Sequence, residues 1–211
     1  MAFDLEEQEQ LDRIKAFWAK WGNKITALMF VGLIAVSAWK FYEYRQTSKQ
    51  EKAVQAFEAY ERAAQAKAAG TPAMLAELQQ KFPESRLSAQ ASFIGATIAI
   101  EAQDWAQALT QLQWIVTHGT PENKGIAGLE IADIQAQMGK LDDALKTLDT
   151  PPAPQFTAVY LSKKADLYMM HKQPEKAHEA MQAALKWLNE QPSKDDAVIN
   201  MLQRKMELFQ P

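Results

Sequence analysis

A chain of 211 residues, 47% of them hydrophobic, is long enough for one good-sized domain plus an appendage and too apolar for general disorder. Its formal net charge of -3 is spread without a basic stripe, which excludes the phosphate-neutralising surface that a nucleic-acid partner requires. With no cysteine, thiol catalysis, disulfides and thiolate metal sites are all absent, and the compartment stays open, because either side of a bacterial inner membrane suits such a chain. Glycine (8) and proline (9) are sparse and fall between segments rich in Ala, Gln, Leu, Glu and Lys. Those are good helix formers, so an all-α fold is expected.

Residues 1–24 form an amphipathic leader. Leu11, Ile14, Phe17, Trp18 and Trp21 recur at spacings of three and four with charges between them. Such a helix either lies at a membrane surface or offers a docking face to a membrane partner, and both remain open.

From Ile25 to Trp39 there is no charge. This stretch rises about 22 Å as a helix, short of the ~30 Å hydrocarbon core. Lys40 can snorkel, and Phe41, Tyr42 and Tyr44 continue the apolar surface, so segment 25–44 reaches across. Trp21, Trp39, Lys40 and Tyr42 are the expected membrane-interface residues. A buried core helix is the first rival, disfavoured by the uniformity of the run and its aromatic and lysine brackets. A cleaved signal peptide is the second. Asp4, Glu6, Glu7, Glu9 and Asp12 precede the run, unlike a short basic leader, so an uncleaved signal anchor is expected. Charge does not orient it. Arg13, Lys15, Lys20 and Lys24 on one side balance Lys40, Arg45, Lys49 and Lys52 on the other.

Residues 45–211 read as helix pairs. A long helical pattern runs to about Ala69, and Gly70-Thr71-Pro72 breaks it, with Thr71 placed to cap a short helix from Pro72. Phe82-Pro83 ends that helix, and Glu84–Glu101 starts the next. From there small residues repeat: Ala96 with Ala108, Ala132 with Ala144, Ala165 with Ala177, each pair twelve apart. Four residues after each second alanine comes a large apolar side chain, Leu112, Leu148 and Met181. Short turns at Gln103-Asp104, Gly139-Lys140 and Gln173-Pro174 join the helices of a pair. Antiparallel helices approach closely only where both are small, so these six alanines are the expected repeat-packing positions. Stacked pairs then make the core. This resembles the tetratricopeptide repeat, with departures: Ser92, Gly128 and Leu161 stand where an aromatic is usual, and Pro151-Pro152 shortens one second helix.

The string EQLDRIKAFWAKWGNKI, followed by a single span and WKFYEY, resembles the YfgM family of bacterial inner-membrane proteins. The order of parts matches over essentially the whole chain: leader helix 5–21, span, long helix 47–69, repeats, and a C-terminal helix from Lys194 to Phe209. The resemblance implies an ancillary subunit of the SecYEG translocon, with residues 1–24 cytoplasmic, 25–44 in the inner membrane and 45–211 periplasmic. It implies partners too: SecYEG, a PpiD-like periplasmic chaperone, nascent exported chains and membrane lipid. The function implied is a scaffold that passes translocated chains to periplasmic chaperones. The alternatives are a repeat scaffold for another envelope complex, or a stress-response regulator.

No catalytic, cofactor or metal residue is expected. His118, His171 and His178 lack acidic partners at metal spacing, and Asp142-Asp143 and Asp195-Asp196 sit where helix starts favour negative charge. Phosphate-binding and hydrolase motifs are missing. Met169, Met170, Met181, Trp105, Trp114 and Trp187 at helical spacing are expected in the core rather than on a binding surface.

Overall fold

The computed structural model describes the backbone of residues 3–207 and the side chains of residues 9–207. Within them the protein is all-α, with no strand. The helices are α1 (Phe3–Gln65), α2 (Thr71–Lys81), α3 (Arg86–Glu101), α4 (Trp105–His118), α5 (Pro121–Gln137), α6 (Leu141–Thr147), α7 (Thr157–Met170), α8 (Pro174–Glu190) and α9 (Asp196–Glu207). A 3-10 turn at Pro154–Phe156 leads into α7. The expected end of the C-terminal helix at Phe209 lies outside the described residues. The chain divides into two units, Met1–Lys52 and Ala53–Pro211.

The first unit holds one uninterrupted stretch of α1. Leader and span, expected as consecutive helices, form a single one. Gly22-Asn23 does not break it: the Thr26 hydroxyl donates to the Gly22 carbonyl at 2.7 Å, and the Trp18 ring covers Gly22. Its most apolar window has a mean hydropathy of 1.7, and 0% of that window is buried. Apolar surface on this scale, with nothing of its own to pack against, suits hydrocarbon.

In the second unit, successive helices stack as antiparallel pairs, and each core cluster links one pair to the next. Phe57, Tyr60, Leu75, Leu78 and Ala91 join the end of α1 to α2 and α3. Ala96, Ala108, Leu112, Ile115, Ala127 and Ile131 join α3, α4 and α5. Ala132, Ala144, Leu148, Tyr160 and Leu167 carry the core on to α7, and Ala165, Ala177, Met181, Ile199 and Leu202 carry it to α9. This neighbour-to-neighbour core is the organisation of a helical-repeat protein.

The turns repeat to the level of single hydrogen bonds. At the end of α3 the Asp104 N–H bonds to the Ala99 carbonyl at 2.8 Å and the Gln103 N–H to Ile100 at 2.9 Å. The same two bonds recur at Lys140 and Gly139, at Gln173 and Lys172, and at Ala68 and Lys67. All four are Schellman endings with one residue in the left-handed region: Lys67 (φ 52°), Gln103 (58°), Gly139 (76°) and Lys172 (57°). The fourth copy, at Lys67, makes residues 53–65 of α1 and all of α2 a helix pair that the alanine pattern did not reveal. It also places the end of α1 at Gln65 rather than Ala69. Thr71 does not cap α2. Its hydroxyl donates to the Ala68 carbonyl at 2.6 Å, and Gly70 holds the cap position. The next helix starts at Arg86 with Ser85 as its cap, two residues after the expected Glu84.

Left-handed backbone costs a side-chain-bearing residue roughly 1–2 kcal/mol and costs glycine little. Gly139→Ala is therefore expected to destabilise the protein by about 1 kcal/mol. Gln103→Gly and Lys172→Gly should each be neutral or stabilising, the reverse of glycine's usual effect in helical proteins. Urea titration of the purified variants measures both signs.

Candidate functional site

Among the described residues no cluster of His, Asp and Glu could hold a metal ion, and no buried side-chain polar atom lacks a partner. Two surfaces remain: the apolar face of α1, and the face built by the first helices of the pairs.

On α1 the residues expected at a membrane interface are open to the surroundings. Trp21 is 42% exposed, Trp39 73% and Tyr42 66%. Lys40 pairs with Glu43 at 2.9 Å, one turn further on, so the cation that closes the apolar run carries its own counter-charge. Sequence reading passed over Glu43, whose i,i+3 spacing was the available signal. Tyr42 accepts a hydrogen bond from Gln46 at 2.9 Å, and Lys24 lies 4.8 Å from the Trp21 ring centre. Each bracket of the run thus pairs an aromatic body with a polar tip, the arrangement suited to an interface between oil and water.

In the second unit all six alanines, Ala96, Ala108, Ala132, Ala144, Ala165 and Ala177, have 0% exposure. The two members of each pair share a core cluster. Leu112, Leu148 and Met181 are buried beside them. The three positions that lack the usual aromatic differ in how they are filled. At Gly128 the aromatic arrives from another helix: a β-carbon there would stand 2.2 Å from the Tyr160 hydroxyl of α7. That hydroxyl donates to the Gly125 carbonyl at 3.0 Å, and burial raises its pKa. At Ser92 the space is polar. Gln79 of α2 donates to the Ser92 hydroxyl at 2.9 Å and to Gln111 of α4 at 2.7 Å, tying three helices together. Leu161 packs half-buried against the α7–α9 core. Tyr60 mirrors Tyr160 at the other end, donating to Ala91 at 3.1 Å, with burial pushing its pKa up to about 12.

Along the first helices, ion pairs step from one unit to the next. Lys163 of α7 pairs with Asp133 of α5, and Lys205 of α9 pairs with Asp166 of α7 at 2.7 Å while bonding Ser162 at 3.1 Å. Each is worth about 0–1 kcal/mol at this exposure. One unit before Lys163, at the same register, stands Glu130. No cation meets it in any ion pair of the described residues, and burial followed by the nearby Asp133 charge raises its pKa. Val54 of α1, Ile126 of α5 and Val159 of α7 are exposed, and exposed Gln90 holds the equivalent place on α3. Between α3 and α5 lies a shallow depression of about 570 Å³ lined by Arg86, Gln90, Phe93, Glu122, Asn123 and Ile126. Thr120, the cap of α5, also lines it, and it is wide enough for a partner's side chain. Of the residues expected in the core, Met181 is fully buried and Trp105, Trp114 and Met169 are partly so, whereas Met170 is 66% exposed at the end of α7.

The family model described as a tetratricopeptide repeat-like domain matches residues 15–208. Four curated relatives carry the name ancillary SecYEG translocon subunit, three of which follow. That of Neisseria gonorrhoeae is 30% identical over 98% of this chain and 99% of its own. That of Haemophilus influenzae is 27% identical over 75% and 78%, and that of Escherichia coli 26% over 85% and 87%. No solved structure matches the chain.

Two outcomes test the packing. Gly128→Ala, which would stabilise an ordinary helix by up to about 1 kcal/mol, is expected to cost roughly 1–3 kcal/mol here by displacing Tyr160. Combining it with Tyr160→Phe should recover part of that loss in a double-mutant cycle of thermal unfolding. For Glu130 the folded-state pKa lies above the unfolded one, so protonation favours folding and the ionised form opposes it near neutrality. Glu130→Gln should therefore raise the melting temperature at pH 7, and the gain should vanish once the pH falls below the ordinary carboxylate range.

Proposed function

The chain belongs to the tetratricopeptide repeat-like family that contains the ancillary SecYEG translocon subunits, and from that premise we propose that it is such a subunit. The observation that carries the proposal is the end-to-end correspondence with the Neisseria relative, which takes in the apolar segment as well as the repeats. Residues 25–44 anchor it in the bacterial inner membrane, with residues 1–24 cytoplasmic and the repeats periplasmic. It acts as a scaffold without catalysis of its own, joining the translocon to a PpiD-like periplasmic chaperone and, through it, to nascent exported chains.

The mechanism is confinement. A membrane anchor converts a search through a whole compartment into a search near the channel exit, raising effective concentrations toward the millimolar range without tight contacts. Exposed Ile126 and Val159 and the shallow depression between α3 and α5 suit weak, adaptable contacts of that kind. A partner held by its position does not need a deep pocket.

Affinity purification of the full chain from mild detergent is expected to recover SecYEG subunits together with a PpiD-like chaperone. Recovery of a different envelope assembly in their place would overturn the proposal. An alkaline phosphatase fused after Pro211 should be active, and a cytoplasmic-only reporter at the same site silent. The opposite pattern would place the repeats on the cytoplasmic side.

A further inference from the structure

The ion pairs between first helices of the second unit follow one rule, and α5 breaks it. A lysine of one first helix reaches back to an aspartate of the previous one, as Lys205 of α9 does to Asp166 and Lys163 of α7 to Asp133. One unit earlier the same two places fall at Glu130 of α5 and Thr97 of α3. The lysine is replaced by an acid, and the residue opposite it is neutral. Thr97 serves its own helix, donating to the Phe93 carbonyl at 3.0 Å. The one cation of α3 is Arg86, at the start of the helix and about 16 Å from Thr97 along the axis. No ion pair among the described residues includes Glu130, and Lys163 is engaged by Asp133. A half-buried carboxylate without a cation is a standing cost to the fold.

The missing ion pair adjoins the depression of about 570 Å³ between α3 and α5. Glu130 follows Ile126 by one turn, about 6 Å further along the same face of α5. Ile126, 44% exposed, and half-buried Phe93 give the depression its apolar walls. The acid at its other end is differently placed. Glu122 is held by its own backbone N–H and the Thr120 hydroxyl, and the Arg86 charge helps keep its pKa low. Glu130 has no such support: burial, then the Asp133 charge, raises its pKa. An occupant that complements this face therefore brings a cation to Glu130 and an apolar group to Ile126 and Phe93. A metal ion does not meet that description, since no metal-holding group of acids and histidines exists among the described residues.

We propose that the α3–α5 face is a docking site for a protein segment carrying a lysine or arginine about 6–7 Å from an apolar side chain, a separation that two positions on an extended chain supply. The cation sits on Glu130 and the apolar group between Phe93 and Ile126. This goes beyond the scaffold role proposed above and does not depend on which protein supplies the segment. Selectivity comes from the charge: a neutral segment leaves Glu130 desolvated without a partner, and an acidic one is repelled.

The test uses the full chain in mild detergent and short labelled peptides with leucine and lysine two positions apart in a glycine–serine background, read by fluorescence anisotropy. This peptide is expected to bind at least about fivefold more tightly than counterparts with glutamine or glutamate for lysine, or serine for leucine. Glu130→Gln should abolish the preference for lysine over glutamine. It is the variant expected to be the more stable at pH 7, so lost binding would not be lost fold. Glu130→Lys, which restores the lysine of the later units, should turn the preference toward glutamate. Ile126→Ser should weaken the leucine–lysine peptide about fivefold. Glu190→Gln, at the exposed end of α8, should change nothing and controls for the net negative charge of the chain. Equal binding of the lysine and glutamine peptides, a preference that survives Glu130→Gln, or an equal loss with Glu190→Gln would overturn the inference. So would a full chain that is dimeric in detergent and monomeric after Ile126→Ser, which would put a second copy on the face. Recovery of SecYEG with the same chain separates the two ideas. If SecYEG is recovered without a lysine preference, the docking face alone fails; if the preference holds without SecYEG, the proposed function alone fails.

Discussion

Ala96 and Ala108, Ala132 and Ala144, Ala165 and Ala177 each lie fully buried in a core cluster shared by the two helices of a pair. Helix axes pack about 8–10 Å apart depending on the side chains between them, and a methyl group on each side allows the near end of that range. The close approach has consequences down the chain. It accompanies a tight Schellman turn with one left-handed residue, although the turn at Lys67 forms in the same way with Tyr60 and Pro72 in place of the alanines. It also leaves a groove beside the contact that Leu112, Leu148 and Met181 fill. A larger side chain at an alanine would push the pair apart, costing roughly 1–3 kcal/mol, and would misplace the surface that the next pair needs. In a protein whose units touch only their neighbours, such an error is passed along the stack.

The departures from the regular pattern are resolved locally, by different means. Gly128 gives up its own side chain so that Tyr160 of α7 can stand over α5 and donate to Gly125. Gly125 does the same for Phe156, whose ring would lie 2.4 Å from a β-carbon there. The short α6, ended ahead of Pro151-Pro152, leaves space that these two aromatics fill from the following unit. Around Ser92 the solution is a polar bridge from Gln79 to Gln111, and every buried side-chain polar atom among the described residues is satisfied. Buried polar networks are tolerable only when complete, and here they lock α2, α3 and α4 into one register.

Local chemistry made much of this legible in advance. The apolar run, the six alanines, Gly139 in the left-handed turn and Pro174 at the start of α8 each involve residue types with few physical uses. The first helix pair escaped because it carries Tyr60 and Pro72 where the later pairs carry alanines. Only the recurrence of Lys67, Gln103, Gly139 and Lys172 at equivalent turns gives it away. Lysine and glutamine in left-handed backbone leave no mark in composition, since their strain is offset by packing elsewhere. The Tyr160–Gly128 exchange was illegible for another reason. A missing aromatic in one helix and a surplus one about thirty residues later are connected only in three dimensions.

The two units divide the physical labour. Among the described residues from Ala53 onward nearly every large apolar residue finds a neighbour within the stack, and Met138, Met170, Met201 and a few half-open β-branched residues are the remainder. Before Lys52 the balance is reversed: Leu28, Phe30, Ile34 and Trp39 are each more than 60% exposed. Summed along the segment, that is several hundred Å² of apolar surface, more than a soluble surface carries without a partner or a membrane. The apolar surface of this segment therefore calls for hydrocarbon or a partner. On the proposed function, the chain's usefulness lies in where the membrane holds a surface that is already folded.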